Sequence, residues 1–186
     1  MGSDPFSPDA IAATRHWVQT LVVGENLCPF AGRELENDRV RFTVTDAHDE
    51  ETLLEALKAE MDRLDAEPGI ETTLLIHPHA LEDFLDYNDF LALADALLVE
   101  SKREGVYQVA SFHPGYRFAG TGEDDAENYT NRSPYPMLHI LREASVERAV
   151  EGHPDIEAVP SRNIGRMNEL GRNHLQALLD ACLKTK

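Results

Sequence analysis

Three short segments rich in β-forming residues alternate with two long amphipathic segments, and this order restricts the fold more than any other feature of the chain. Strands are predicted over residues 40–45, 72–76 and 106–112. Helices are predicted over residues 50–66 and 86–104, where apolar residues recur at helical spacing. Because each helix is long enough to cross back over a sheet, the pattern predicts an α/β fold. We expect a β-α-β-α-β core with a mostly parallel sheet of about three strands, in two or three layers.

Helices are also predicted before and after this core. The first ends at Gly24, a short one covers residues 134–150, and the last follows residues 159–161. We expect a single domain, 1–186, in which residues 1–6 are a disordered end or a remnant of cloning. The main alternative is an α+β sandwich with an antiparallel strand, because few strands are visible in the sequence.

The charge of the chain restricts its partners. Acidic residues outnumber basic ones by 34 to 17, and the net charge is −17 at pH 7. Nucleic-acid phosphates and anionic membrane surfaces repel such a protein, so neither is expected as a partner. A small-molecule ligand is expected instead, and it can be anionic where a few arginines gather. The chain has no apolar run of ~18 residues, no signal peptide and only two cysteines, which predicts a cytoplasmic protein.

Histidines follow all three predicted strands. His48 comes shortly after the first strand, His77 and His79 come after the second, and His113 comes directly after the third. In a parallel sheet the carboxyl ends of the strands share one edge, and ligands of open α/β sheets bind there. We therefore expect a histidine cluster at this edge. An antiparallel arrangement would place the histidines at both ends of the sheet.

The first hypothesis for this cluster is a site for a divalent metal such as zinc, iron or copper. Imidazole nitrogen is a common ligand of these metals, and catalytic zinc often has three protein ligands and a water. His77 and His79 would point to one face of an extended strand, and His113 would complete the site. His139 or Cys28 is a candidate fourth ligand. The alternative is that these His-Pro pairs only cap strands and turns.

The second hypothesis is metal-free hydrolysis or group transfer. His113 would act as general acid or base, because the unperturbed pKa of imidazole lies near neutral pH. Tyr116 is a candidate hydroxyl donor, and Cys28 is a candidate nucleophile if its surroundings lower the pKa of the thiol. The apolar neighbours of Cys28 also fit simple packing. A non-catalytic binding module is the third hypothesis.

A polar loop follows His113 and supplies candidate ligand-binding residues. Arg132 and Arg142 are candidates for holding a carboxylate or a phosphate through paired hydrogen bonds, although both could instead pair with nearby acidic residues. Tyr129 and Asn131 add hydrogen-bonding groups to the same loop. Neither the Walker motif nor the dinucleotide-binding fingerprint is present in the chain.

Four motifs in the chain resemble those of a known family. They lie at residues 25–30 (ENLCPF), 77–79 (HPH), 111–116 (SFHPGY) and 131–136 (NRSPYP). With these motifs the chain resembles an uncharacterised bacterial family, domain of unknown function 1415, from about Trp17 to Leu170. The resemblance implies one complete domain, and it implies no reaction and no catalytic residue.

Together these features predict an enzyme that acts on a small polar or anionic metabolite at a histidine-rich, metal-binding edge of the sheet. A metal-free enzyme and a non-catalytic module remain as alternatives. The feature that separates them is whether His77, His79 and His113 approach a common point within a few ångströms.

Overall fold

A computed structural model describes residues 7–153 and 155–184, and it places a four-stranded sheet between two layers of helices. The prediction made for residues 1–6 lies outside this described part. The strands are β1 (Val40–Val44), β2 (Thr72–Ile76), β3 (Tyr107–Phe112) and β4 (Met137–Arg142). The α-helices are α1 (Ser7–Trp17), α2 (Ala31–Glu36), α3 (Glu50–Ala66), α4 (Phe84–Glu100), α5 (Glu143–Glu151), α6 (Val159–Leu170) and α7 (Arg172–Leu183).

The strand order is β1-β2-β4-β3, and it differs from the expected mostly parallel sheet of three strands. β1 and β2 are parallel, with Val40 opposite Thr72. β4 is antiparallel to both of its neighbours, β2 and β3. The α/β class is confirmed, but among the described residues only one of the three strand pairs is parallel. The antiparallel alternative therefore describes the pairing better, and the reason is the fourth strand.

The helix predicted over residues 134–150 is wrong in its first part. The segment begins as β4, and α5 starts only at Glu143. Met137, Leu138 and Ile140 are fully buried because β4 lies inside the sheet with helices on both faces. A short, continuous apolar run of this kind has neither the period of a strand nor that of a helix, so its pattern cannot separate the two.

β1, β2 and β3 nevertheless run in the same direction, because β2 and β3 are both antiparallel to the strand between them. Ile76 and Phe112, the last residues of β2 and β3, both lie opposite Met137. The carboxyl ends of these three strands therefore lie at one edge of the sheet, which we call the carboxyl edge. This is the arrangement that the histidine pattern required, reached through a different strand order.

Helices cover both faces of the sheet. α3 and α4 bury Leu57 and Phe90 on one face, and α1, α6 and α7 cover the other face, where Trp17 is buried. Successive residues of β2 point to opposite faces of the sheet. Leu75 packs on the face covered by α3 and α4, and Ile76 packs on the face covered by α1, α6 and α7. Strand β2 is fully buried, as its continuous apolar sequence predicts.

The helices at the two ends of the chain differ from the prediction in one respect. A π-helical segment, Val18–Val23, continues α1 to Gly24, so the first helix ends where it was predicted to end. The last helix is two helices, α6 and α7, which meet at Gly171 with a φ of +77°. That backbone conformation favours glycine and interrupts a helix. No helix of the described ranges combines the length and the apolar character needed to cross a membrane.

Candidate functional site

His77 and His113 both contact the ring of Tyr87, which α4 brings to the carboxyl edge. The ring centres lie 5.8 Å apart for His77 and 5.0 Å apart for His113. The Tyr87 hydroxyl donates to the carbonyl oxygen of Met137 at 2.8 Å and accepts from the amide of Phe112 at 3.0 Å. Burial raises the pKa of Tyr87, so the hydroxyl keeps its proton. One side chain of α4 therefore links the end of β3 to the start of β4.

His113 has both ring nitrogens bonded to the backbone. Its Nδ1 accepts from the amide of Gly115 at 2.9 Å, so the ring proton must be on Nε2, which lies 3.1 Å from the carbonyl oxygen of Leu81. The side chain is only 2 % exposed, and burial lowers its pKa, which favours this neutral form. His113 therefore connects the loop after β3 to the segment before α4.

His77 has one nitrogen bonded and one nitrogen without a partner. Its Nδ1 lies 2.9 Å from the carbonyl oxygen of Ala80, which can only accept, so Nδ1 carries the proton. Nε2 is buried and has no hydrogen-bond partner among the described residues. Burial lowers the pKa of His77 to about 4, so the ring is neutral at pH 7.

The remaining candidate histidines lie in other surroundings. His79 stacks on His48 with ring centres 5.2 Å apart. His139, on β4, has its Nε2 2.7 Å from the hydroxyl of Thr72, and burial lowers its pKa to about 4. Within residues 7–153 and 155–184, no three His, Cys, Asp or Glu side chains are grouped so that they could hold a metal ion. The metal site therefore stays a prediction, which only a direct analysis of bound metal can test.

An open cleft of about 340 Å³ lies at the carboxyl edge, beside the loop that His113 orders. Three segments form it: the start of α4, the β3–β4 loop and the start of α7. Three arginines give it a basic lining, so we call it the arginine cleft. Its lining consists of Asp83, Phe84, Leu85, Pro114, Gly115, Arg117, Glu123, Arg132, Arg172 and Gln176.

Arg132 is a buried cation without an acidic partner. It is 7 % exposed, and its Nε and Nη2 donate to the carbonyl oxygens of Tyr116 at 3.0 Å and Glu123 at 2.7 Å. Its guanidinium also lies 4.7 Å from the ring centre of Tyr129. No carboxylate of the described residues lies within ion-pair distance of Arg132. Among the described residues, the groups that stabilise its charge are two backbone carbonyls and an aromatic face.

The other two arginines of the cleft are exposed. Arg172 pairs with Asp124 at 2.9 Å, and Arg117 has no ion pair within the part of the chain that the structure describes. Asp83 and Glu123 add two carboxylates to the lining, but Asp83 also caps α4 by accepting from the amide of Leu85 at 2.8 Å. The lining therefore holds three guanidinium groups and two carboxylates, and because Asp124 pairs with Arg172, the cations left for a ligand are Arg132 and Arg117.

Buried amides hold the loop around the cleft. Asn128 is fully buried, accepts from the amide of Phe118 at 3.0 Å and donates to the carbonyl oxygen of Gly122 at 2.8 Å. Asn131, predicted as a ligand-binding residue, donates to the carbonyl oxygen of Ser111 at 3.0 Å. These contacts shape the loop from inside, and neither amide lines the cleft.

The two candidate tyrosines of the loop also make their contacts with other residues of the protein. The hydroxyl of Tyr129 donates to the side-chain oxygen of Gln176 at 2.7 Å, which joins the loop to α7. Tyr116 packs its ring against Phe84 at 5.1 Å and Phe118 at 5.0 Å. Both tyrosines thus support cleft residues, and neither is itself part of the lining.

Arg142 lies at the opposite edge of the sheet. It ends β4, beside the start of β3, and its Nη2 donates to the carbonyl oxygens of Leu64 at 2.6 Å and Ile70 at 2.9 Å. Free carbonyls at the end of a helix need such donors, and Leu64 belongs to the last turn of α3. The structure therefore does not bring Arg142 and Arg132 together.

Cys28 lies in the connector before α2, which packs against α6. Asn163 of α6 donates to the carbonyl oxygen of Leu27 at 2.8 Å, and Arg162 donates to that of Asn26 at 3.3 Å. The Cys28 side chain is half-buried and is absent from the lining of the arginine cleft.

Sequence reasoning missed several residues of the cleft. Arg117 follows the SFHPGY motif directly, so its position next to the predicted site was a usable signal. Phe84 and Asp83 belong to the start of α4, where an aspartate before an apolar helix indicates a cap. Arg172 and Gln176 reach the cleft only because α7 packs against the β3–β4 loop, and no local pattern indicates that contact.

Comparisons with known proteins identify the family of the chain and nothing more specific. No curated protein and no solved structure matches it. The family described as "Protein of unknown function (DUF1415)" matches residues 9–177. That match covers most of the chain, and it includes the carboxyl edge and the arginine cleft. The chain therefore belongs to the DUF1415 family.

Proposed function

We propose that the protein binds a small anionic metabolite, through its carboxylate or phosphate group, in the arginine cleft. The observation that carries this proposal is the state of Arg132, which is 7 % exposed and has no acidic partner among the described residues. A buried charge is costly unless an opposite charge or several hydrogen bonds compensate it. An anion in the cleft would supply the missing opposite charge.

The rest of the cleft supports this assignment. Arg117 and Arg172 also line it, and guanidinium groups bind carboxylates and phosphates through paired hydrogen bonds. Its volume of about 340 Å³ suits a small molecule. A macromolecular anion does not fit the proposal, because the net charge of −17 repels it.

Binding is the part of the function that the geometry favours. His113 has no ring nitrogen free to accept a substrate proton, because both are bonded to the backbone at Gly115 and Leu81. We therefore assign His113 the role of positioning the loop that carries Arg117. Acid or base catalysis by His113, and metal binding by His77, His79 and His113, stay predictions.

Calorimetric titration with sodium phosphate at low ionic strength tests the proposal. We expect saturable binding, and we expect the Arg117→Gln/Arg172→Gln variant to bind about tenfold more weakly or worse. The matched control is Arg33→Gln/Arg148→Gln, which removes two exposed arginines outside the cleft and should leave the affinity unchanged. Equal affinities of the two double variants, or no saturable binding of phosphate to the wild type, would contradict the proposal.

A further inference from the structure

We infer that the anionic group of the ligand is attached to a flat apolar group, so that the ligand class is an aromatic carboxylate or an aromatic phosphate ester. This inference rests on the proposed anion binding and adds the second half of the ligand. It comes from the apolar members of the lining of the arginine cleft, which are Phe84, Leu85 and Pro114.

The apolar side of the cleft is an ordered aromatic surface. Phe84 packs against His113 with ring centres 5.5 Å apart and against Tyr116 at 5.1 Å. Both neighbours are held in turn, His113 by its two backbone bonds and Tyr116 by Phe118 at 5.0 Å. The ring of Phe84 is thus held by neighbouring rings, Tyr87 at 6.4 Å among them, and Phe84 supplies an ordered aromatic residue to the cleft lining.

Gly115 keeps this surface open. A Cβ at this position would lie 3.5 Å from Nδ1 of His113 and 3.6 Å from Cβ of Phe84, which is ordinary contact. The position that a Cβ of residue 115 would take, against the ring of His113 and the Cβ of Phe84, is therefore unfilled, and Gly115 itself lines the cleft. In its hydrogen-bonded form His113 is neutral, so its ring carries no charge that would disfavour contact with an apolar group.

The lining also includes two exposed apolar side chains that an inorganic anion does not need. Leu85 is 61 % exposed, and Pro114 is exposed beside it. A bare phosphate would leave both side chains in water. A ligand with a flat apolar group would cover them while its anionic group reaches the arginines.

Two phosphate esters of equal charge, methyl phosphate and phenyl phosphate, test the inference by calorimetric titration of the full chain. We expect phenyl phosphate to bind the wild-type protein about tenfold more tightly. The Gly115→Leu variant should bind both esters with the affinity of methyl phosphate, because the new side chain fills the space over His113 and Phe84. Gly165→Leu is the matched control, since an added Cβ there meets nothing within 4 Å, and it should retain the preference for phenyl phosphate.

The outcomes separate this inference from the proposed function. Equal affinities of the two esters for the wild type would overturn the inference and leave anion binding intact. A preference for phenyl phosphate that survives in Gly115→Leu, with that variant folded as judged by its thermal transition, would also overturn it. If neither ester binds, the proposed function fails and the inference fails with it.

Discussion

Arg132 lies 4.7 Å above the ring of Tyr129, and the hydroxyl of that tyrosine donates to Gln176 of α7 at 2.7 Å. The contact joins the β3–β4 loop to a helix that is distant in sequence. Arg132 also lines the arginine cleft, together with Arg172 and Gln176 of α7. Arg132 is therefore both a support for the loop and the buried positive charge on which anion binding depends.

Replacing Arg132 should lower the free energy of unfolding of the protein and its affinity for phosphate. Arg132→Met removes the donors to the carbonyl oxygens of Tyr116 and Glu123, so we expect the free energy of unfolding to fall by about 1–3 kcal/mol in urea denaturation. The exposed Arg148→Met should change it by less than about 0.5 kcal/mol. If Arg132→Met is as stable as the control, the loop does not depend on these hydrogen bonds.

Removing the Tyr87 hydroxyl should weaken the junction of β3 and β4. Tyr87→Phe leaves the amide of Phe112 and the carbonyl oxygen of Met137 without this partner, and we expect a loss of about 1–3 kcal/mol in the free energy of unfolding. Tyr135→Phe is the control, because the backbone oxygen of Tyr135, not its hydroxyl, accepts the bond from Ser133. Similar transitions for both variants would show that the hydroxyl bridge contributes little.

Acidification should destabilise the protein before most carboxylates are protonated. Burial lowers the pKa of His77 and His139 from 6.5 to about 4 in the folded state. Between these values the unfolded chain binds protons that the folded chain does not, so the free energy of unfolding falls as the pH falls from about 6.5 to about 4. At about 1.4 kcal/mol per pKa unit, the loss is on the order of several kcal/mol.

Denaturation at a series of pH values measures this slope. His139→Gln should reduce the slope between about pH 6.5 and about pH 4, whatever it does to the stability at neutral pH. An unchanged slope in His139→Gln would mean that the pKa of His139 is the same in the folded and the unfolded chain.

Breaking the ion pair between Arg172 and Asp124 should strengthen anion binding. In the free protein this carboxylate competes with a ligand for Arg172, at a distance of 2.9 Å. Both side chains are exposed, so the pair is worth little and Asp124→Asn should tighten phosphate binding only about threefold. Asp95→Asn removes an exposed charge on α4 and is the control for a general change in charge. Equal effects of both variants would remove any specific role from Asp124.

Cys28 should be dispensable for binding. It lies in the connector that α6 holds through Asn163, and it does not line the arginine cleft. We expect Cys28→Ala to bind phosphate with the wild-type affinity in calorimetry. A loss of about tenfold or more, without a lower thermal transition, would connect this thiol to the site.

The sequence predicted the three strands that precede long loops or helices, but it did not reveal β4. Each of the three has a boundary that can be recognised, such as Gly105 before β3 or the Pro68-Gly69 turn before β2. β4 follows Pro136 with a continuous apolar run, and pairing with β2 and β3 decides its conformation. A tertiary contact of that kind leaves no period in the local sequence.

For the candidate site, the sequence predicted only those positions that follow from the direction of the strands. His77 and His113 follow strands that point the same way, and both contact the ring of Tyr87, whereas His48 and His79 stack on each other. Arg142 does not join Arg132, because β4 runs away from the carboxyl edge and carries its last residue to the opposite one. Arg172 comes from a helix whose docking depends on many weak contacts, which no motif encodes.

An NMR titration of the isotope-labelled protein with methyl phosphate is the most direct test of the central claim, that an anion binds in the arginine cleft. The account predicts saturable shifts of the backbone amides of Gly115, Arg117 and Glu123, with the amides around His48 unchanged. Shifts that do not saturate, or that centre on a surface away from the cleft, would contradict it.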